Sequence, residues 1–146
     1  MRIAIVAVGR VKDRSMRAVL DEYLGRVRRY TKLDEVELKD MPVAELVERF
    51  EKRIDPGSRV IALEVDGSRW SSERLAREVG DCELHSVPTL TFLIGGSYGL
   101  PPEVSRAANL RLSLGAITLP HRLARVVLAE QIYRSFTILR GEPYSH

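Results

Sequence analysis

The stretch FLIGGSYGL, residues 92–100, runs three large apolar residues into Gly95-Gly96 and follows them with Gly99. A strand closed by a plain turn needs one glycine. Glycines this close together mark backbone that takes positive φ or lets a ligand approach without meeting a Cβ. A tight turn into a helix near Pro101 accounts for one of them; a ligand-facing loop accounts for all three. Spacing excludes two familiar nucleotide loops. No Gly-Lys-Ser/Thr follows, as a phosphate-binding P-loop requires, and the glycines lack the dinucleotide fingerprint and follow the fourth strand rather than the first.

Working outward, residues 89–94 (TLTFLI) form that fourth strand, set off by Pro88. Residues 2–9 and 59–67 are nearly continuous apolar runs and read as strands buried on both faces. Residues 33–40 alternate and read as a less buried strand, and residues 110–114 as a short fifth one. Between them lie helical stripes: Met16, Val19, Leu20, Tyr23, Leu24 and Val27, then Val43, Leu46, Val47 and Phe50 behind Pro42. Ser71 or Ser72 caps a third helix through Val79. Pro101-Pro102 open a fourth through about Ala108, and the last runs from about His121 to Leu139. Alternating strands and helices predict an α/β fold, a mostly parallel sheet covered by helices on both faces. Ligands in such sheets sit beyond the carboxyl ends of the strands, where the glycines lie.

The chain has 146 residues, 45% apolar and 29% charged, which suits one soluble domain spanning 1–146. The single cysteine, Cys82, cannot staple the fold and reads as a small buried residue. The apolar start is too short for a signal peptide, and no stretch is long enough to span a bilayer, so a cytoplasmic protein with no membrane partner is expected. Three scattered histidines, His85 among them, and one cysteine make no metal site. A net charge of +3 permits an RNA partner without demanding one.

Residues 112–120 (LSLGAITLP) are uncharged, although they join a strand to a helix, where a loop is usually polar. Such a loop is buried or lines an apolar pocket, and its polar recognition must come from backbone N–H and C=O groups. That suits a flat heterocycle such as adenine. In the last helix Ala124, Leu128, Ile132, Phe136 and Leu139 form one stripe, while Leu123, Val127 and Ile138 lie on another side. A helix apolar on two sides needs two covers, and a second copy of the chain supplies the outer one. Glu130 and Arg134 are spaced for a helical ion pair. Arg122 and Arg140 share an arc, with Arg125 nearby, and are placed to meet an anion.

FLIGGSYGL, then LSLGAITLPHRLARVVLAEQIYRSFTI, then a tail with Pro143-Tyr144 and histidine resemble the RlmH family. These are the bacterial large-subunit ribosomal RNA pseudouridine N3-methyltransferases of the SPOUT superfamily. The opening IAIVAVGRVKD and the middle ALEVDGSRWSSERLA fit as well. The resemblance implies a SPOUT-type α/β knot with a C-terminal deep trefoil knot, a homodimer, S-adenosylmethionine as cofactor, and a pseudouridine of the assembled ribosome as substrate. It implies that Leu63, Gly95, Gly96, Leu114, Gly115, Ala116, Ile117, Thr118 and Leu119 line the cofactor site, the glycines clearing space for it. Candidates for removing the N3 proton or stabilising the resulting anion are His121, Arg125, Glu130, Tyr133, Arg134, Tyr144 and His146. The family tail reads proline-tyrosine-histidine; here Ser145 stands where the histidine is expected and His146 follows one position later. That departure keeps open a non-enzymatic RNA- or ribosome-binding protein of the same fold. A SPOUT methyltransferase acting on another RNA is the remaining alternative.

Overall fold

The computed structural model describes residues 1–144; the candidate His146 lies outside the described residues. Strands and helices alternate along the chain: β1 (Arg2–Val8), α1 (Arg14–Val27), β2 (Lys32–Leu38), α2 (Val43–Arg53), β3 (Arg59–Arg69), α3 (Ser72–Leu84), β4 (Thr89–Ile94), α4 (Pro102–Ala107), β5 (Leu110–Ser113) and α5 (His121–Leu139). The five strands make one sheet in the order β2-β1-β4-β3-β5, and every neighbouring pair is parallel.

Side-chain alternation along the central strands divides the core in two. Ile3, Ile5 and Ala7 of β1 and Leu90, Phe92 and Ile94 of β4 pack against Leu20 and Leu24 of α1, Val79 of α3, and Leu128, Ile132 and Phe136 of α5. Val6 and Val8 of β1, Val60 and Ala62 of β3, and Leu93 of β4 face the other way, onto Phe50 of α2 and Val104 of α4. Both faces of the sheet are therefore covered, as continuous apolar strands require. β4 is buried along its whole length.

Three elements depart from the sequence expectation. β3 continues past Asp66-Gly67 to Arg69, with a register shift between Leu63 and Ser68 where it pairs with β5. Gly67 is what lets the two chains pass: a Cβ there would sit 2.9 Å from the main chain of Arg111. α3 runs beyond Val79 to Leu84, and Gly80 stays inside it because Leu139 of α5 occupies the space of its missing Cβ, with Cδ2 2.9 Å away. α1 starts at Arg14, ahead of its first apolar residue, because the Asp13 side chain accepts from the Met16 N–H at 2.9 Å. Of the two serines offered as caps of α3, Ser71 takes the role, accepting from Arg74 N–H.

α5 packs between α1 and α3. Leu128, Ile132 and Phe136 are fully buried, whereas Leu123 is exposed and Val127 and Ile138 are only partly covered. Cys82 is buried, and burial pushes its thiol up to about 11.

Candidate functional site

A cavity of about 600 Å³ opens beyond the carboxyl ends of β4 and β5, beside the middle of β3. Leu63, Glu64 and Val65 of β3 form one wall, and Ile94, Gly95, Gly96, Ser97 and Gly99 another. The third is the uncharged connection from Leu112 to Pro120, followed by His121, Arg122 and Ala124 at the start of α5. Eight of the nine residues expected around a cofactor lie here: Leu63, Gly95, Gly96, Leu114, Gly115, Ile117, Thr118 and Leu119. Ala116 does not; it is exposed.

The glycines have a different physical reason from the one expected. A Cβ on Gly95 would lie 2.2 Å from the carbonyl carbon of Gly99 and 2.4 Å from the nitrogen of Leu100. Gly95 is thus required by the loop folding back on itself. Gly96 and Gly99 form an antiparallel bridge, the Gly99 N–H donates to the Gly96 carbonyl at 3.0 Å, and Gly99 sits at φ +79°. The bare backbone builds a closed turn, and that turn supplies the cavity wall.

Ser113 ties the other walls together. Its Oγ donates to the Val65 carbonyl at 2.8 Å and accepts from the Gly115 N–H at 3.1 Å, joining the middle of β3 to the loop after β5. Among the described residues, no hydrogen bond uses the main-chain groups of Ile117, Thr118 or Leu119. Their N–H and C=O groups are free for a ligand edge.

Of the six candidates for chemistry among the described residues, His121 alone lines the cavity. Its ring lies against Gly9, where a Cβ would come within 3.1 Å of Cε1, and its Nδ1 is buried without a hydrogen-bond partner. Burial, and then the charges of Arg125 and Arg122, hold its pKa below the ordinary value, so the imidazole is neutral at pH 7 and able to accept a proton.

Arg125 is fully buried and faces away from the cavity. It pairs with Glu35 and Glu37 of β2, and Arg17 of α1 pairs with the same two carboxylates. It braces the fold and does not meet an anion from solution. Arg140 is also engaged, bonding Glu83 at 2.9 Å. Glu130, Tyr133, Arg134 and Tyr144 gather farther along α5; His121 and Glu130 are separated by roughly 14 Å of helix. There Arg134 bonds Glu130 at 2.7 Å, the Tyr144 hydroxyl donates to Glu130 at 2.8 Å, and the Tyr133 and Tyr144 rings meet edge-on at 4.6 Å. Desolvation, reinforced by the bond to Glu130, pushes the Tyr144 phenol well up, so it remains a donor.

Sequence reasoning missed Glu64, Val65, Ser97 and Arg122 as lining residues. The two from β3 carry no local signal, because a register shift across the sheet brings them there. Among the described residues no cluster of His, Cys, Asp or Glu is arranged to hold a metal, and no helix is long and apolar enough to cross a membrane.

A parallel sheet with a cavity at its carboxyl edge, walled by a glycine turn and an uncharged loop, defines a class of ligand-binding α/β protein, and comparison with known proteins narrows it. The sequence matches the family described as "Predicted SPOUT methyltransferase" over residues 1–146. The ribosomal RNA large subunit methyltransferase H of Sorangium cellulosum is 52% identical over 146 residues, 100% of both chains. Its namesake in Bifidobacterium animalis subsp. lactis is 43% identical over 157 aligned positions, 99% of both chains. The chain belongs to the SPOUT methyltransferases and, within them, to the RlmH family. Two solved structures share the fold at low identity. A probable methylase family protein from Haemophilus influenzae aligns at TM-score 0.59 and 12% identity, covering 99% of this chain and 70% of its own. The TrmH/SpoU tRNA modifying enzyme of A. aeolicus aligns at TM-score 0.51 and 15% identity, covering 99% and 81%.

Proposed function

We propose that this chain uses S-adenosylmethionine to methylate N3 of a pseudouridine in large-subunit ribosomal RNA on the assembled ribosome. The observation that carries the reading is the cavity at the carboxyl edge of the sheet, of a size that suits a nucleoside-containing ligand. Leu63, Leu112, Leu114 and Ile117 offer apolar walls to a flat heterocycle, and the free main-chain groups of Ile117, Thr118 and Leu119 can serve its edge. Glu64 adds a carboxylate suited to a cationic ligand. When bound, the donor supplies a methyl group already activated by a sulfonium.

The protein's own share is alignment and proton management. Holding the acceptor nitrogen in line with the methyl group is worth several orders of magnitude in rate. The N3 proton must leave, and in this reading His121, which lines the cavity, takes it directly or through a water. Arg122 on the same wall offers positive charge to the resulting anion or to a phosphate.

The working unit in this reading is a homodimer with its C-terminal segment threaded as a trefoil knot, acting in the cytoplasm. Support for the dimer comes from apolar surface near the cavity: Ile117 is 81% exposed, Val65 52% and Leu123 40%. The family resemblance supports the knot.

Calorimetric titration with S-adenosylmethionine, followed by transfer of labelled methyl to ribosomes and mapping of the modified base, tests the proposal. One donor per chain and label at N3 of a large-subunit pseudouridine are expected. Absence of binding argues against catalysis, and label on a different RNA would reassign the substrate.

A further inference from the structure

The chain has five tyrosines, three phenylalanines and one tryptophan. Phe50, Phe92 and Phe136 are fully buried. Tyr23, Tyr30 and Tyr144 each meet the ring of Tyr133. Trp70 lies beneath the guanidinium of Arg74 at 4.8 Å. The ninth ring, Tyr98, is 96% exposed.

Its position is not that of a stray surface residue. Tyr98 is at the tip of the turn closed by Gly96 and Gly99, and both its neighbours, Ser97 and Gly99, line the cavity. The turn is stiff: the space of the Gly95 Cβ is filled by the main chain of Gly99, which is hydrogen-bonded back to Gly96. A ring presented on a preorganised turn loses little entropy when it binds. Arg122 on the opposite wall brings positive charge to the same opening.

We infer that Tyr98 is a stacking platform for an unpaired base of the substrate RNA, an inference that rests on the methyl transfer to RNA proposed above. A base that reacts at N3 must leave its stack to reach a recessed cavity, which strips its neighbour of a stacking partner. An aromatic ring beside the opening replaces that partner, and this is how proteins commonly hold single-stranded RNA. Tyr98 thereby favours the splayed RNA without touching the methyl donor.

The test compares wild type, Tyr98→Ala and Tyr98→Phe with purified ribosomes lacking the modification, measuring KM and kcat for methyl transfer, S-adenosylmethionine affinity and oligomeric state. Tyr98→Ala is expected to raise KM for ribosomes about tenfold, the loss of one base–aromatic stack. Tyr98→Phe should stay within about twofold of wild type, and donor affinity should be unchanged in both. A wild-type KM in Tyr98→Ala overturns the inference. So does a defect in Tyr98→Phe as large as in Tyr98→Ala, which would mark a hydroxyl contact, or a change in oligomeric state, which would place the ring against another copy of the chain. If wild type itself transfers nothing to ribosomes, the RNA reading fails and this inference with it; if only the Tyr98 comparison fails, the functional reading stands.

Discussion

The guanidinium of Arg125 donates to the main-chain carbonyl of Gly9 at 2.9 Å. This bond joins the first third of α5 to the end of β1, beside the place where His121 rests on Gly9. With Glu35 and Glu37 on the same guanidinium, it fixes the start of α5, and hence one wall of the cavity, to the sheet.

Arg125→Leu is expected to destabilise the protein by about 3–5 kcal/mol, the usual cost of removing one partner from a buried ion pair. Chemical denaturation measures it. A loss below about 1 kcal/mol would show that the Arg17 pairs alone hold β2 to the helices.

The glycine turn predicts an order of severity. Gly95→Ala forces a Cβ into the Gly99 main chain, so the turn must open; thermal stability and donor binding should both fall sharply. Gly99→Ala meets open space and bears only the strain of φ +79°, about 1–2 kcal/mol. Thermal melts and donor titrations of the two variants check the order, and equal effects would contradict it.

His121 predicts a pH dependence with a defined sign. Its folded pKa lies below the ordinary 6.5. Between the two values the unfolded chain binds a proton that the folded chain does not. Stability is therefore greatest above about pH 6.5 and declines as pH falls through that window. Denaturant midpoints measured from pH 7.5 down to the onset of carboxylate titration should show this decline, and His121→Asn should flatten it.

Cys82 should be inert in the folded protein. A buried thiol raised to about 11 offers little thiolate at neutral pH. A thiol reagent followed by absorbance should react slowly with native protein and quickly in denaturant. Fast reaction in the native state would contradict the packing of α3.

Much of this was legible in the sequence where the signal is local. The limits of α5, His121 and Leu139, follow from Pro120 in front and an unbroken helical pattern behind. Two parts of the cavity wall, the glycine turn and the loop without charge, were legible in this way. What sequence could not supply depends on partners distant in the chain. The helix expected to end at Val79 runs on through Gly80, which Leu139 packs against, and the strand expected to end at residue 67 runs on through Gly67, where β5 passes. Arg125 reads as an available cation because Glu35 and Glu37 lie 90 and 88 residues away along the sequence. The gathering of Glu130, Arg134 and Tyr144 away from His121 follows from helix length, yet only the folded tail shows Tyr144 returning to Glu130.

The most direct test is a crystal structure of the protein grown with S-adenosylmethionine. Electron density for the donor is expected between the 95–99 turn and residues 114–119, its adenine edge on the main chain of Ile117, Thr118 or Leu119 and its methyl group open toward His121. A donor bound elsewhere, or side chains filling that space in a protein that binds the donor in solution, would contradict the account.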